Sequence, residues 1–233
     1  MNTDKHGLKN KPNMNISAVL RTKQEAKENY NKISRWYDIF SLPERKYIEI
    51  GLQRLNAKEK ERILEIGFGT GNSIIELAKS VGNQGKVYGV DISETMNQIT
   101  KSKIEKAGLS DRVFLKCEDA TKQPFKNDFL DGIFMSFTLE LFDLPEIPIV
   151  LNECNRVLKP KGRISIVAMS RPEKLNIVTK IYEWSHRKFP KYIDCRPIQV
   201  KQSVEDAGFQ IIDSAEMMMW GLPVAIVLAN KIK

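Results

Sequence analysis

Three glycines at alternate positions follow a short apolar run in the segment ILEIGFGTGNS, residues Ile63 to Ser73. A strand that ends at Ile66 and a helix that begins near Asn72 would bring backbone N–H groups and a helix N-terminus to one point. Glycines there permit positive φ angles and let a ligand touch the main chain. Such a loop also serves tight packing alone, so it indicates a ligand site only with further support.

An acidic residue supplies that support at the end of the next apolar run, VYGVD, 24 residues after Gly67. Adjacent parallel strands would place Asp91 beside the glycine loop, at the sheet edge where ligands bind, and a carboxylate there accepts from ribose hydroxyls. In dinucleotide-binding proteins the third glycine comes one residue later than Gly71 does here. The two features predict a ligand that contains a nucleoside and lacks a phosphate.

The elements that position these residues follow from an alternation of short apolar runs with longer helical patterns, which is typical of βαβ units on a parallel sheet. Gly221 and Pro223 favour a tight reversal between the last two strands and an antiparallel pair at the sheet edge. The predicted strands are Arg62 to Ile66, Lys86 to Val90, Val113 to Cys117, Leu130 to Met135, Gly162 to Ala168, Gln210 to Met217 and Pro223 to Ala229. The predicted helices are Thr22 to Phe40, Glu44 to Leu55, Asn72 to Val81, Glu94 to Ala107, Glu146 to Leu158, Lys174 to Phe189 and Ile198 to Ala207.

The length of 233 residues predicts a single domain, and no apolar run approaches the roughly 20 residues that span a bilayer. Three separated cysteines and two histidines give no reason to expect a disulfide framework or a metal site. The lack of a signal-peptide pattern favours a cytoplasmic location.

Much of the net charge of +8 lies in residues 1–35, where eight Lys or Arg residues face three Asp or Glu residues. We interpret this basic arm as a solvated tail, with transient contact to a membrane surface as the alternative and no nucleic-acid partner expected. Residues 1–20 are expected to be disordered. The single domain is expected to comprise a helical cap at 21–58, a core at 60–170, a lid at 171–209 and edge strands at 210–233.

Five segments in the same order resemble the motifs of the class I S-adenosylmethionine-dependent methyltransferases. These segments are LEIGFGTG, VYGVDIS, CEDATKQPF, FLDGIFMSFTLEL and RVLKPKGRI, which together span roughly residues 60 to 170. The resemblance implies an α/β fold: a Rossmann-like, seven-stranded, mostly parallel sheet with helices on both faces, an antiparallel last strand and an N-terminal helical cap. It also implies S-adenosylmethionine as cofactor and S-adenosylhomocysteine as product.

The resemblance assigns cofactor contacts by position. Gly67, Gly69 and Gly71 would lie against the methionine part, with Glu65 near its ammonium group and Asp91 on the ribose hydroxyls. Around the rest of the cofactor, Ile92 and Met96 would enclose the adenine, Asp119 and the Ala120 N–H would bond to it, and Ser136, Phe137, Tyr30 and Tyr37 would close the methionine end. Ile92, Met96, Asp119, Ser136 and the two tyrosines also have ordinary packing or turn-capping interpretations.

Methyl transfer from a sulfonium needs a positioned acceptor, and it needs a general base only where the acceptor carries a proton at neutral pH. Tyr182 and His186 lie in a segment rich in aromatic and polar residues, and Glu140 follows the fourth predicted strand. These three are the candidate catalytic residues. Glu140 could instead pair with a nearby cation, and His186 could be an ordinary surface residue.

Within the family, the segments YNKISRWYDIF, FDLPE and RVLKPKGR are similar to those of ubiquinone and menaquinone C-methyltransferases. The His-Arg-Trp-Lys segment of those enzymes is absent, and PERKYIEIGLQRL stands in its place. We therefore expect a methyltransferase with a small apolar or aromatic acceptor, of which a prenylated quinol is one version. The alternatives are methylation of a protein or RNA, a regulatory protein that binds the cofactor without catalysis, and an NAD-dependent oxidoreductase.

Overall fold

The computed structural model describes residues 42–171 and 197–232. The strands are β1 (Arg62–Ile66), β2 (Lys86–Asp91), β3 (Val113–Cys117), β4 (Leu130–Ser136), β5 (Leu158–Met169), β6 (Phe209–Met219) and β7 (Leu222–Lys231). The helices are α1 (Arg45–Leu55), α2 (Asn72–Ser80), α3 (Glu94–Lys106), α4 (Glu146–Val157) and α5 (Val200–Asp206), with short 3-10 turns at Leu42–Glu44 and Leu139–Leu141.

All seven strands form one sheet in the order β3-β2-β1-β4-β5-β7-β6. Strands β1 to β5 pair in parallel, and β7 runs antiparallel to both of its neighbours, β5 and β6. The chain starts at β1, moves outward through β2 and β3, and then returns to the other side of β1 with β4. In open α/β sheets, ligands bind at the carboxyl ends of the strands where the order reverses in this way.

Apolar side chains cover both faces of the sheet. On one face, Ile147 and Leu151 of α4 and Val204 of α5 pack against the sheet, and none is more than 3% exposed. On the other face, Leu55 of α1 and Ile74 of α2 do the same. Because β5 and β7 are buried on both faces, they are apolar along most of their length, as a central strand requires.

The predicted α/β fold with seven mostly parallel strands and an antiparallel strand near one end is confirmed. Most boundaries lie within two residues of the predicted ones. The largest difference is at β5, which begins at Leu158 instead of Gly162, because Leu130 of β4 pairs with Leu158 before the register shifts to the pair Gly132 and Arg163. The predicted helices Thr22 to Phe40 and Lys174 to Phe189 lie outside the described residues, as does the basic arm. Within the described ranges, no helix is long and apolar enough to cross a membrane.

A close helix contact with the sheet occurs at Gly51 of α1. A Cβ atom at this position would lie 2.5 Å from Val167 Cγ2 of β5 and 3.1 Å from Phe134 Cε2 of β4. The Gly51 carbonyl also accepts a hydrogen bond of 2.8 Å from the buried Ser165 hydroxyl. The helix therefore lies directly on the two central strands, with no room for a side chain at this point.

We predict that Gly51→Val lowers the free energy of unfolding by about 1–3 kcal/mol, since the added atoms overpack the contact with Val167. Urea denaturation measures this value. Gln53→Val is the matched control, because Gln53 is exposed two residues away in the same helix. Equal losses in both variants would mean that the general effect of a β-branched residue in α1, and not close packing at Gly51, explains the loss.

Candidate functional site

The glycine loop joins β1 to α2 through a backbone that bends sharply. Gly67, Gly69 and Gly71 have φ angles of 72°, 50° and 82°, in the region that favours glycine. The Gly67 N–H donates to the Val90 carbonyl at 2.7 Å, which ties the loop to β2. A Cβ at Gly67 would lie 2.2 Å from Thr138 Oγ1, so this position also needs the smallest residue because of a close neighbour.

Asp91, the last residue of β2, fixes the same loop with its carboxylate. Its Oδ2 accepts from the Gly69 N–H at 2.9 Å, and its Oδ1 accepts from the Ser93 N–H at 2.8 Å. Burial raises the pKa of Asp91, and the hydrogen bonds from Ser93 and Gly69 oppose that rise. Each carboxylate oxygen can accept a further hydrogen bond, so the group can hold the loop and receive hydroxyl donors together.

Glu65 lies one residue before the end of β1 and is 1% exposed. Its Oε2 has no hydrogen-bond partner. Burial, and next the charge of Asp91, raise the pKa of Glu65 well above its usual range, while a hydrogen bond with Ser73 opposes the rise. A buried carboxyl oxygen without a partner carries a desolvation cost that an ammonium donor from a ligand would offset. The residues present therefore fit the amino-acid end of an adenosyl sulfonium.

The predicted adenine contacts follow the carboxyl ends of β2 and β3. Asp119 Oδ1 accepts from the Thr121 N–H at 2.9 Å, and the Glu118 N–H donates to the Asp91 carbonyl at 3.1 Å, so this loop is linked to Asp91. Ile92 is half-buried, whereas Met96 is 1% exposed within the core. The contacts of Ile92, Met96, Asp119 and Ala120 with adenine stay predictions.

At the carboxyl end of β4 the backbone turns at Phe137, which is buried and has a φ of 47°. Its N–H donates to the Val167 carbonyl of β5 at 2.7 Å, and the Thr138 hydroxyl donates to the Ser136 carbonyl at 2.8 Å. A bulky residue in the left-handed region costs about 1–3 kcal/mol, and such residues cluster at active sites and ligand-binding segments. Strain at this position is therefore consistent with the predicted role of Ser136 and Phe137 at the methionine end.

Glu140 lies in the 3-10 turn after β4 and is completely buried. Its Oε1 accepts from the Met169 N–H at the end of β5 at 2.9 Å, and its Oε2 has no hydrogen-bond partner. Burial raises the pKa of Glu140 to about 8; the Met169 N–H opposes the rise and the charge of Glu44 adds to it. Burial also raises the pKa of Glu44, to about 7. The carboxyl ends of β4 and β5 thus hold a second buried carboxyl group with one oxygen that has no hydrogen-bond partner, and its pKa is raised to about 8.

The structure places Asp91 beside the glycine loop through the hydrogen bond from Gly69, and Glu65 lies close enough for the charge of Asp91 to raise its pKa. The cofactor contacts of the loop glycines, Glu65 and Asp91 stay predictions. Sequence reasoning missed Thr100, whose hydroxyl donates to the Gly69 carbonyl at 2.8 Å from inside the core. Its place on the buried stripe of α3, four residues after Met96 and four before Ile104, was an available signal. Four candidates lie outside the described residues and stay predictions: Tyr30, Tyr37, Tyr182 and His186.

Comparisons with known proteins agree with this geometry. A family model described as a methyltransferase domain matches residues 63–162. The demethylmenaquinone methyltransferase of Bacillus velezensis is 31% identical over 160 residues, which cover 64% of this chain and 67% of that protein. The ubiquinone/menaquinone biosynthesis C-methyltransferase of Vibrio parahaemolyticus is 32% identical over 136 residues, 58% of this chain and 51% of that one. The chain thus spans about half to two thirds of the length of these relatives.

A solved structure supports the same fold. The S-adenosylmethionine-dependent methyltransferase from Aquifex aeolicus superposes with a TM-score of 0.59 and 28% identity, and the match covers 79% of this chain and 89% of that chain.

The raised pKa of Glu140 predicts how stability depends on pH. Between the unfolded pKa, 4.5, and the folded pKa, about 8, the folded chain binds more protons at this residue, so the free energy of unfolding falls as pH rises through that window. We predict that Glu140→Gln flattens this fall, measured by urea denaturation from pH 5 to 9. Glu105→Gln, at an exposed position of α3, is the control and should leave the slope unchanged. A slope in Glu140→Gln equal to that of the wild type would contradict the assigned shift, because the raised pKa values of Glu44, Glu65 and Asp91 account only for the part of the fall that remains.

Proposed function

The chain belongs to the class I S-adenosylmethionine-dependent methyltransferases, in the group of the ubiquinone and menaquinone C-methyltransferases, and we propose that it transfers a methyl group to a small apolar or aromatic acceptor. The observation that carries this proposal is the bond from the Gly69 N–H to Asp91, which joins a bare backbone and a carboxylate at the carboxyl ends of β1 and β2. That arrangement suits an adenosyl ligand without phosphates.

When bound, S-adenosylmethionine supplies an electrophilic methyl group on a sulfonium that leaves as a neutral thioether. The protein's task is to orient the acceptor in line with that methyl group and to exclude water. Glu65 would receive the ammonium group on its partnerless Oε2, and the glycine loop would lie against the methionine backbone. Asp91 would accept from the ribose hydroxyls while it continues to hold Gly69 and Ser93.

We assign Glu140 as the general base. Base catalysis is most effective when the pKa of the base lies near the working pH, and the pKa of Glu140 is about 8. The Met169 N–H fixes one oxygen of the carboxyl group, which leaves Oε2 to take a proton from an acceptor hydroxyl. Loss of that proton raises the electron density of an aromatic ring and prepares a ring carbon to receive the methyl group.

A hydroquinone with an apolar tail is the acceptor class that best suits these features. Its hydroxyl can donate to Glu140, and the names of the relatives point to quinone precursors as the molecules on which those proteins act. The basic residues within 1–35 would contact an anionic membrane surface and so help the protein to meet such an acceptor. A cytoplasmic location is part of the same proposal. The intact loop glycines and acids favour catalysis over a cofactor-binding protein that has lost it.

We predict that Asp91→Asn weakens the binding of S-adenosylhomocysteine by about 10–100-fold, because hydrogen bonds to a charged group contribute about 1.5–3 kcal/mol. Isothermal titration calorimetry measures the affinity, and circular dichroism verifies that the variant is folded. Asp111→Asn changes an exposed aspartate at the opposite edge of the sheet and should bind as the wild type does. Wild-type affinity in folded Asp91→Asn would show that the cofactor site lies elsewhere.

We predict that Glu140→Gln lowers kcat by about 100-fold or more, since a positioned base contributes about 10²–10⁴ in rate. The Kd for S-adenosylhomocysteine should change by no more than about twofold. The assay follows transfer of a labelled methyl group to a demethylmenaquinol with a short prenyl tail, with Glu105→Gln as control. A kcat that is unchanged in Glu140→Gln would remove Glu140 from the mechanism.

A further inference from the structure

The connection between β3 and β4, residues 118–129, crosses a face of the sheet without forming a helix. It carries the predicted adenine contacts Asp119 and Ala120 at its upstream end. A connection without a helix satisfies few of its own backbone polar groups, so other elements must supply hydrogen-bond partners for the rest. In this chain much of that supply comes from one side chain of α4, that of Arg156.

The Arg156 guanidinium has five N–H donors in a fixed plane, and each of them has an acceptor. Two acceptors belong to a carboxylate one turn earlier in the same helix, and three belong to the connection. The acceptors are Glu153 Oε1 at 2.7 Å and Oε2 at 2.8 Å, the carbonyl oxygens of Phe125 at 2.8 Å and Gln123 at 3.0 Å, and Asn127 Oδ1 at 2.9 Å.

Gln123 links this cluster to the predicted adenine contacts. Its backbone N–H donates to Glu153 Oε2 at 2.9 Å, and its side-chain amide donates to the Ala120 carbonyl at 2.9 Å. The Lys122 N–H closes a turn on the Asp119 carbonyl at 3.2 Å. A short path of hydrogen bonds therefore runs from Arg156 through Gln123 to Ala120 and its neighbour Asp119.

The ion pair between Arg156 and Glu153, from which this path starts, is partly buried. The Arg156 side chain is 32% exposed and that of Glu153 22% exposed, so both are partly shielded from water. The hydrogen bond from Arg156 lowers the pKa of Glu153, and Glu153 raises that of Arg156 in return. The pair stays ionised through the neutral range and keeps its geometry where the enzyme would work.

We propose that Arg156 is a positioning residue for cofactor recognition: its five hydrogen bonds, braced by Glu153, hold the 118–129 connection so that Asp119 and Ala120 meet the edge of the adenine ring. This inference rests on the proposed function, because it takes Asp119 and Ala120 as the adenine contacts. Arg156 acts through Gln123 and touches neither the cofactor nor the acceptor.

The chain contains a matched control in Arg163 of β5. Its guanidinium makes a similar set of five hydrogen bonds, to both carboxylate oxygens of Glu61 and to the carbonyls of Leu55, Asn56 and Asp131. Arg163 pairs with Gly132 near the start of β4, at the edge of the sheet opposite the cofactor loop. A lysine at either position keeps the charge but offers three donors from a single point instead of a planar fork.

The experiment measures, for each variant, the ratio of Kd values for S-inosylhomocysteine and S-adenosylhomocysteine. The first ligand carries an oxo group where adenine has its amino group, so this position accepts hydrogen bonds and no longer donates to Asp119. We expect the wild type to favour S-adenosylhomocysteine by about 10-fold or more, and Arg156→Lys to lose most of that preference. Arg163→Lys should keep the wild-type ratio of Kd values even if its melting temperature falls as far as that of Arg156→Lys.

Asn127→Ala removes one of the five acceptors at an exposed position and provides a variant that tests the inference even if Arg156→Lys does not fold. Its ratio should move in the same direction by a smaller factor, about two- to threefold.

A wild-type ratio in folded Arg156→Lys, or in Asn127→Ala, would overturn the role of Arg156 and leave the proposed function intact. Equal loss of the ratio in Arg163→Lys would also overturn it, since general loosening of the fold would explain both. A wild type that binds the two ligands equally would contradict the adenine assignment of Asp119 within the proposed function itself.

Discussion

The hydrogen bond from the Gly69 N–H to the Asp91 carboxylate is the interaction on which the arrangement of the site depends. It requires β1 and β2 to be neighbours that run in the same direction, so that both carboxyl ends reach one edge of the sheet. It also requires glycine at the turn that follows β1, since a Cβ at Gly67 would collide with Thr138. The hydrogen bond between Gly69 and Asp91 therefore depends on three features together: the parallel sheet, the sharp loop and the acid at the end of β2.

Two other carboxyl groups at this edge are buried with one oxygen that lacks a hydrogen-bond partner, Glu65 and Glu140. Burial of a carboxyl group without full compensation costs stability, and the raised pKa of each group expresses that cost. Proteins retain such groups where a ligand or a reacting proton supplies the missing partner. Glu65 lies in β1, the strand that leads to the glycine loop, and Glu140 follows β4, so the two groups suit the two partners of a transfer reaction.

The two arginine clusters show how the same side chain can serve stability alone or stability together with recognition. Arg163 fastens the end of α1 and the start of β4 at one edge of the sheet, whereas Arg156 fastens the connection that leads from the predicted adenine contacts. The two guanidinium groups make similar sets of hydrogen bonds. They differ in the backbone that they hold, since only the segment held by Arg156 contains predicted cofactor contacts. The functional meaning of a structural hydrogen bond thus depends on its place in the topology.

The sequence by itself determined the α/β class, most strand boundaries to within two residues, and the acidic partner of the glycine loop. These features depend on local periodicity and on the conformational freedom of glycine. Both can be recognised in a short segment of the sequence, without knowledge of distant residues. It misplaced the start of β5, since the pair Leu130 and Leu158 forms only when two strands meet.

Only the tertiary structure decided the contacts between residues far apart in the chain. It placed Thr100 beneath Gly69, fixed Glu140 against the Met169 N–H, and joined Arg156 to the 118–129 connection. Local pattern carries no information on these pairs, because their partners lie 29 to 33 positions away and meet only after the sheet has formed. The same holds for the pKa of Glu140, because burial sets it and burial is a property of the whole fold.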